Sequence, residues 1–167
     1  FEIGGVINVA KVIEFAKTRA DVVVSQAVGY GCSSDSMEII EESIKTNNLN
    51  RVVIGGCSPR THETKFQDLL RRSGLNKYLV EIVNLRDQDT WAHMKQPKEA
   101  LDKAFKLLGI GISGVRKSRP LTDQTLPMNQ NVLVVGGGVT GMTTALQLAG
   151  QGTKVYLVER GPVLGGL

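Results

Sequence analysis

Apolar and polar residues change their period several times along the chain, and each change marks an element. Residues 9–18 (VAKVIEFAKT) place apolar side chains at helical spacing. The Val-rich run 21–28 (DVVVSQAV) predicts a buried strand. Residues 35–47 predict an amphipathic helix, with Asp35 as its N-cap and Glu38 completing a capping-box pattern. A second short strand is expected at 51–55 (RVVIG), and a helix from about 61 to 72. Ser58-Pro59 suits the entry to that helix, because proline lacks an N–H that the first turn leaves unpaired anyway. Residues 78–83 (YLVEIV) predict a third strand, and 98–108 belong to a last, long helix that carries the chain out of the domain.

Strands that alternate with helices pair in parallel through right-handed crossovers. Residues 1–116 therefore read as a small parallel-sheet α/β domain, whose first strand is expected upstream of Phe1. Residues 117–130 (KSRPLTDQTLPMNQ) are polar, hold two prolines and show no period, which reads as a linker. Residues 131–167 form a second block.

That block opens with a continuous apolar strand, 131–135 (NVLVV), followed at once by Gly136-Gly137-Gly138-Val139-Thr140-Gly141. A helical pattern covers 142–149, and a second strand, 154–158 (KVYLV), ends in Glu159. Each part has a physical task. Gly136 permits the tight turn off the strand, Gly138 lets the backbone approach a pyrophosphate, and Gly141 lets the helix pack closely on the strand. The helix mouth, including Val139 and Thr140, offers unpaired N–H groups and a positive dipole end to phosphates. Glu159 lies 18 residues after Gly141 and can accept hydrogen bonds from ribose hydroxyls. An acid there repels the 2′-phosphate of NADP. The continuation Glu159-Arg160, then Gly165-Gly166 after four residues, resembles FAD-binding proteins of the glutathione and thioredoxin reductase group and their amine oxidase relatives. FAD is thus expected over NAD, with Arg160, Gly165 and Gly166 joining the set that holds it. The fold class is α/β: a small parallel-sheet α/β domain followed by the first βαβ unit of an FAD-binding Rossmann domain.

Composition narrows the setting. Of 167 residues, 41% are hydrophobic and 22% charged, the profile of a soluble globular chain. The net charge of +4 is spread out, and no basic run suits nucleic acid or a membrane surface. No apolar stretch reaches the ~20 residues that span a bilayer, and no signal peptide is visible. Two cysteines are too few for a secreted disulfide scaffold, so a reducing cytoplasm is expected. Residue 1 is Phe, and the chain ends where a nucleotide-binding domain has scarcely begun, so it reads as part of a longer polypeptide.

Cys32 and Cys57 each fall in a predicted βα turn at the carboxyl edge of one sheet, where ligands bind in such folds. Two readings stay open: thiolates for an iron–sulfur cluster or redox chemistry, and structural cysteines in glycine turns. A cubane cluster takes four thiolates, so the others would come from outside this sequence. Arg60, His62 and Arg86 are basic groups near the same edge, while Trp91 and His93 read as packing residues near a helix start.

The first block resembles the N-terminal region of the A subunit of heterodisulfide reductase and its iron–sulfur flavoprotein relatives. The resemblance rests on GGVINVAKVIEFAK, Tyr30-Gly-Cys-Ser33, Leu49-Asn-Arg-Val-Val53, Gly56-Cys-Ser-Pro-Arg-Thr-His-Glu63, Asn84-Leu-Arg-Asp87 and Trp91-Ala-His93. It implies FAD and 4Fe–4S clusters in the parent protein, with Cys32 and Cys57 matching family cysteines. It also implies a cytoplasmic multi-subunit complex that bifurcates electrons to ferredoxin and the coenzyme M–coenzyme B disulfide, with hydrogenase or formate dehydrogenase partners. A stand-alone FAD disulfide reductase, or a non-catalytic docking module of a redox complex, are the competing readings.

Overall fold

The computed structural model of the chain describes residues 3–166. They divide into two compact units, Phe1–Thr122 and Asp123–Leu167. The first unit begins with a single 3₁₀ turn, Ile3–Gly5, and then runs α1 (Val9–Lys17), α2 (Ser34–Thr46), β1 (Val52–Gly56), α3 (Pro59–Arg72), β2 (Val80–Asn84), a π turn (Arg86–Thr90) and α4 (Pro97–Lys117). The second unit is β3 (Val132–Val135), α5 (Val139–Gly150) and β4 (Val155–Val158). The fold is α/β, and both strand pairs are parallel, as alternating elements require.

Local chemistry sets most boundaries. Asn8 caps α1 by accepting from the Lys11 N–H at 3.2 Å. Pro59 occupies the first turn of α3. The cap of α2 corrects the expectation for Asp35. Ser33 is the N-cap, its hydroxyl accepting from the Ser36 N–H at 3.3 Å, and Asp35 lies in the first turn. A serine at the required extended backbone does the same work, and Asp35 still favours the positive helix end.

In the first unit β1 and β2 pair from Val52↔Val80 to Gly56↔Asn84, and helices cover both faces. On one face α1 and α4 bury Val12, Ala16, Ala100, Ala104, Leu108 and Ile112 against Val53 and Val83. On the other, α2 and α3 bury Met37, Ile40, Ile44, Phe66 and Leu69 against Val52, Ile54, Val80 and Ile82. Successive strand residues thus point to opposite helix layers, and a strand apolar on both faces is the result. Gly111 of α4 sits over this sheet, and a Cβ there would lie 2.4 Å from Val83 Cγ2. Only glycine allows the helix to come so close. Arg51 ties off the end of α4, its guanidinium donating to the carbonyls of Val115 and Ser118 at 3.0 Å each.

The strand expected at 21–28 is absent. Residues 22–28 carry no regular structure, and Asp21 adopts a left-handed backbone (φ 66°) where the segment starts. The composition suits a strand, but a strand exists only with a partner to complete its ladder. No described strand lies next to it. A cleft separates it from β1 instead.

Candidate functional site

In the second unit β3 and β4 pair from Val132↔Val155 to Val135↔Val158, and the chain leaves β3 through Gly136 into α5. Gly136 holds φ at +105°, which a side chain resists. A Cβ on Gly141 would fall 1.8 Å from the Gly136 carbonyl oxygen, so a bare residue here is what lets α5 seat against the turn. Around a Cβ on Gly138, the N-cap of α5, nothing lies within 4 Å. The helix mouth is therefore open at Gly138, and Val139, Thr140 and Gly141 begin a helix whose first N–H groups lack partners within it.

Glu159 follows β4 and turns its carboxylate toward this bend. Oε2 accepts from the Gly137 N–H at 2.6 Å and Oε1 from the Gly161 N–H at 2.7 Å. These N–H groups, Gly161 first and then Gly137, hold its pKa below the ordinary carboxylate range, against a smaller opposing effect of burial. Each oxygen retains a further acceptor site. Arg160 is exposed beside it.

The chain then folds back. Gly165 donates to the Gly137 carbonyl at 2.8 Å and forms a parallel bridge with Gly138. Gly165 and Gly166 both hold positive φ, at 123° and 75°, and a Cβ on Gly166 would lie 3.4 Å from the Gly138 Cα. All the expected positions from Gly136 to Gly141, with Glu159, Gly165 and Gly166, thus gather at one bend. Sequence reasoning passed over Gly137. Its N–H holds Glu159, its carbonyl holds Gly165, and a Cβ there would meet Leu164 Cδ2 at 2.5 Å. The middle glycine of an unbroken triplet was the available signal.

In the first unit Cys57 directly follows β1 and Cys32 directly precedes Ser33, the cap of α2. Both are half-buried free thiols, and both line one cleft of about 1550 Å³ together with His62 and Arg86. No group of three or more His, Cys, Asp or Glu side chains able to hold a metal occurs among the described residues. Arg60 is exposed on α3 and does not line the cleft. Arg86 pairs with Asp87 at 3.0 Å and stacks over the Trp91 ring, which is itself half exposed. His93 hydrogen-bonds Gln96 at 3.2 Å and approaches Lys103 at 3.4 Å.

A residue not anticipated from the sequence lies beside them. Asp89 is fully buried in the π turn, and neither carboxylate oxygen has a hydrogen-bond partner among the described residues. Burial raises its pKa, and the nearby Lys103 and His93 pull the other way.

The glycine bend, its acid and the returning Gly165-Gly166 define the opening of a dinucleotide-binding domain, and residues 131–166 match the family model described as FAD dependent oxidoreductase. Compared over 98% of its length, the chain is 42% identical to a protein of Archaeoglobus profundus described as similar to the A subunit of heterodisulfide reductase. The same 42% identity over 98% of the chain holds for the A subunit of the H(2):CoB-CoM heterodisulfide,ferredoxin reductase of Methanothermobacter thermautotrophicus. It also holds for the A subunit of the ferredoxin:CoB-CoM heterodisulfide reductase of Methanosarcina mazei. Over 98% of its length the chain is thus similar to A subunits of heterodisulfide reductases. It covers 23%, 25% and 21% of these relatives, about a quarter of their length. No helix among the described residues is long and apolar enough to cross a membrane.

Proposed function

We propose that the polypeptide containing this chain is an FAD-dependent oxidoreductase subunit that passes electrons between the flavin and iron–sulfur clusters in a cytoplasmic heterodisulfide reductase-like complex. In this division of labour 1–116 is an N-terminal domain, 117–130 a linker and 131–167 the start of the flavin domain. The observation that carries the reading is the bend at Gly136–Gly141, with Glu159 turned into it and Gly165-Gly166 laid against Gly138. The bare space at Gly138 and the open helix mouth suit a pyrophosphate, and the spare acceptor sites of Glu159 suit a ribose. When bound, FAD takes up electrons in pairs and releases them singly. The residues of this chain hold the phosphates at the mouth of α5, orient the sugar through Glu159 and keep that carboxylate ionised through the N–H groups of Gly161 and Gly137.

Cys32 and Cys57 are proposed as thiolates toward an iron–sulfur cluster. By themselves they fall short of the four that a cubane takes, and no electron step is derived through them. The relatives' names supply the remaining chemistry: the CoB–CoM heterodisulfide as acceptor and ferredoxin as partner. Bifurcation between the two, fed by a hydrogenase or formate dehydrogenase, is proposed with them, as the resemblance of the first block implies.

The test is anaerobic purification of the longer polypeptide with flavin and iron determined per chain. One FAD per chain is expected, with iron and acid-labile sulfide, and weak or no FAD in the isolated 167-residue piece. Gly141→Ala, which forces a Cβ onto the Gly136 carbonyl, should weaken flavin retention at least about tenfold. A longer chain that retains NAD and no flavin would overturn the flavin reading. Full flavin in Gly141→Ala would overturn the site, and a colourless, iron-free preparation the cluster reading.

A further inference from the structure

The cleft of the first unit has two walls with the same unfinished chemistry. In a parallel pair, alternate residues turn their main-chain groups toward one neighbour. The bonds from Val52 N–H to the Leu79 carbonyl and from Leu85 N–H to the Gly56 carbonyl show that Val52 and Gly56 face β2. By alternation Ile54 does so too, and Val53 and Gly55 turn their N–H and C=O groups to the opposite edge, which borders the cleft. Residues 22–28 form the other wall. That stretch has strand composition, yet among the described residues its only backbone bond outside regular elements runs from the Val22 N–H to the Arg19 carbonyl. The roof and floor are apolar and come from both helix layers: Val12 and Ala16 of α1 and Leu108 and Ile112 of α4 on one side, Ile40 and Ile44 of α2 on the other. Two strand edges facing each other between two apolar layers describe the place of one strand.

We infer that this cleft is a socket for a parallel β-strand supplied by the polypeptide preceding Ile3, inserted between residues 22–28 and β1. A strand of five or six residues, ~18 Å long, ~4.8 Å wide and ~10 Å thick with its side chains, occupies about 900 Å³. The cleft holds about 1550 Å³. The occupant is that segment because Ile3, Gly4 and Ile7 line the cleft and α1 starts at Val9, so a strand in the socket reaches α1 through a short turn. Strand, α1 and residues 22–28 then form one βαβ crossover, which gives 22–28 the partner it lacks.

The insertion also explains why two cysteines separated by 25 positions share a cleft. The sheet order becomes 22–28, inserted strand, β1, β2. The helix after the inserted strand, α1, lies on the α4 face, and the helix after β1, α3, lies on the α2 face. Connections that leave adjacent strands toward opposite faces open a crevice at their carboxyl ends, the switch point at which ligands bind in doubly wound sheets. Cys57 stands at the carboxyl end of β1. The inserted strand therefore completes the second wall of the crevice into which the Cys57 turn opens.

Hydrogen exchange on the intact longer polypeptide tests this. With the socket filled, the Val53 and Gly55 amides exchange within about tenfold of the Ile54 and Gly56 amides, which already bond β2. Replacing the residues before Ile3 by a Gly-Ser tract then speeds Val53 and Gly55 at least about 100-fold while Ile54 keeps its protection. Three results overturn the inference. In one, Val53 and Gly55 exchange about 100-fold faster than Ile54 in the intact chain. In another, their protection survives the Gly-Ser replacement, which means that 22–28 closes onto β1. In the last, protection falls on dilution, which assigns the socket to a second copy. Should the Gly-Ser variant fail to fold, the intact-chain comparison and its dilution series decide.

Discussion

The chain contains two parallel strand–helix–strand units that differ sharply in what surrounds them. β1–α3–β2 has helices on both faces, and Leu69 and Leu70 of its helix are fully buried. β3–α5–β4 has one helix, and α5 buries no residue completely. Leu133, Val135, Val139, Leu146 and Val158 stand exposed, Val135 by 78% and Leu146 by 74%. The strands of the second unit alternate half-buried and exposed where a doubly wound sheet is buried on both faces. The same local topology thus encloses a core in the first unit, and in the second it leaves apolar faces uncovered within these 167 residues. A piece of some 40 residues has too little apolar surface to enclose. Glycine geometry and the Glu159 hydrogen bonds shape its turn.

The contrast can be broken by truncation. Leu69→Ala should cost the first unit about 2–5 kcal/mol, because it leaves a cavity among buried neighbours. In the isolated 167-residue piece the same truncation at Leu146 should stay within about 0.5 kcal/mol. Denaturant unfolding of the two variants, followed by probes in each unit, measures both. A large loss at Leu146 would show that α5 has a buried face in solution.

A pair of glycines in one helix sharpens it. Gly111→Ala places a methyl against the stiff, branched Val83 and should destabilise by about 1–3 kcal/mol. Three residues on, a Cβ at Gly114 meets nothing within 4 Å, so Gly114→Ala should stabilise by about 0.5–1 kcal/mol. Equal effects in the unfolding midpoints would mean that close approach of α4 to the sheet is not what position 111 provides.

The two perturbed carboxyls give the smallest and most specific contrast. Asp89 has a raised pKa, so the folded state keeps its proton when the unfolded chain has released it. Its contribution is best at or below the ordinary carboxylate range and declines as pH rises through the raised value. Glu159 is the reverse. Its hydrogen bonds are intact above the ordinary range and are lost as pH falls through the lowered value. Asp89→Asn should flatten the fall in first-unit stability toward neutral pH, and Glu159→Gln should flatten the acid-side loss of order at the glycine turn. Unfolding midpoints against pH, with an amide probe on Gly137, report both. Unchanged slopes would disprove either assignment.

Much of the second unit was legible because its demands are local. Positive φ at Gly136, a clash at Gly141 and an acid one strand away lie within a single βαβ span, so residue type and spacing alone announce them. The helices of the first unit and its strands β1 and β2 were legible for the same reason, since period and caps act over one or two turns. At the start of α2 the residue types pointed to Asp35 as the cap, and the extended backbone at Ser33 gives that role to Ser33.

What the sequence determined by itself, then, was the kind of elements, their order and the nucleotide-binding bend, because these follow from backbone preferences within a few residues. The tertiary structure alone decided that 22–28 has no ladder partner among the described strands, that Asp89 is buried without a hydrogen bond there, that Gly111 is a contact rather than a flaw in a helix, and that Cys32 and Cys57 share a cleft. Each of those depends on which distant segment lies alongside, and pairing and burial are properties of neighbours that no single stretch of chain encodes.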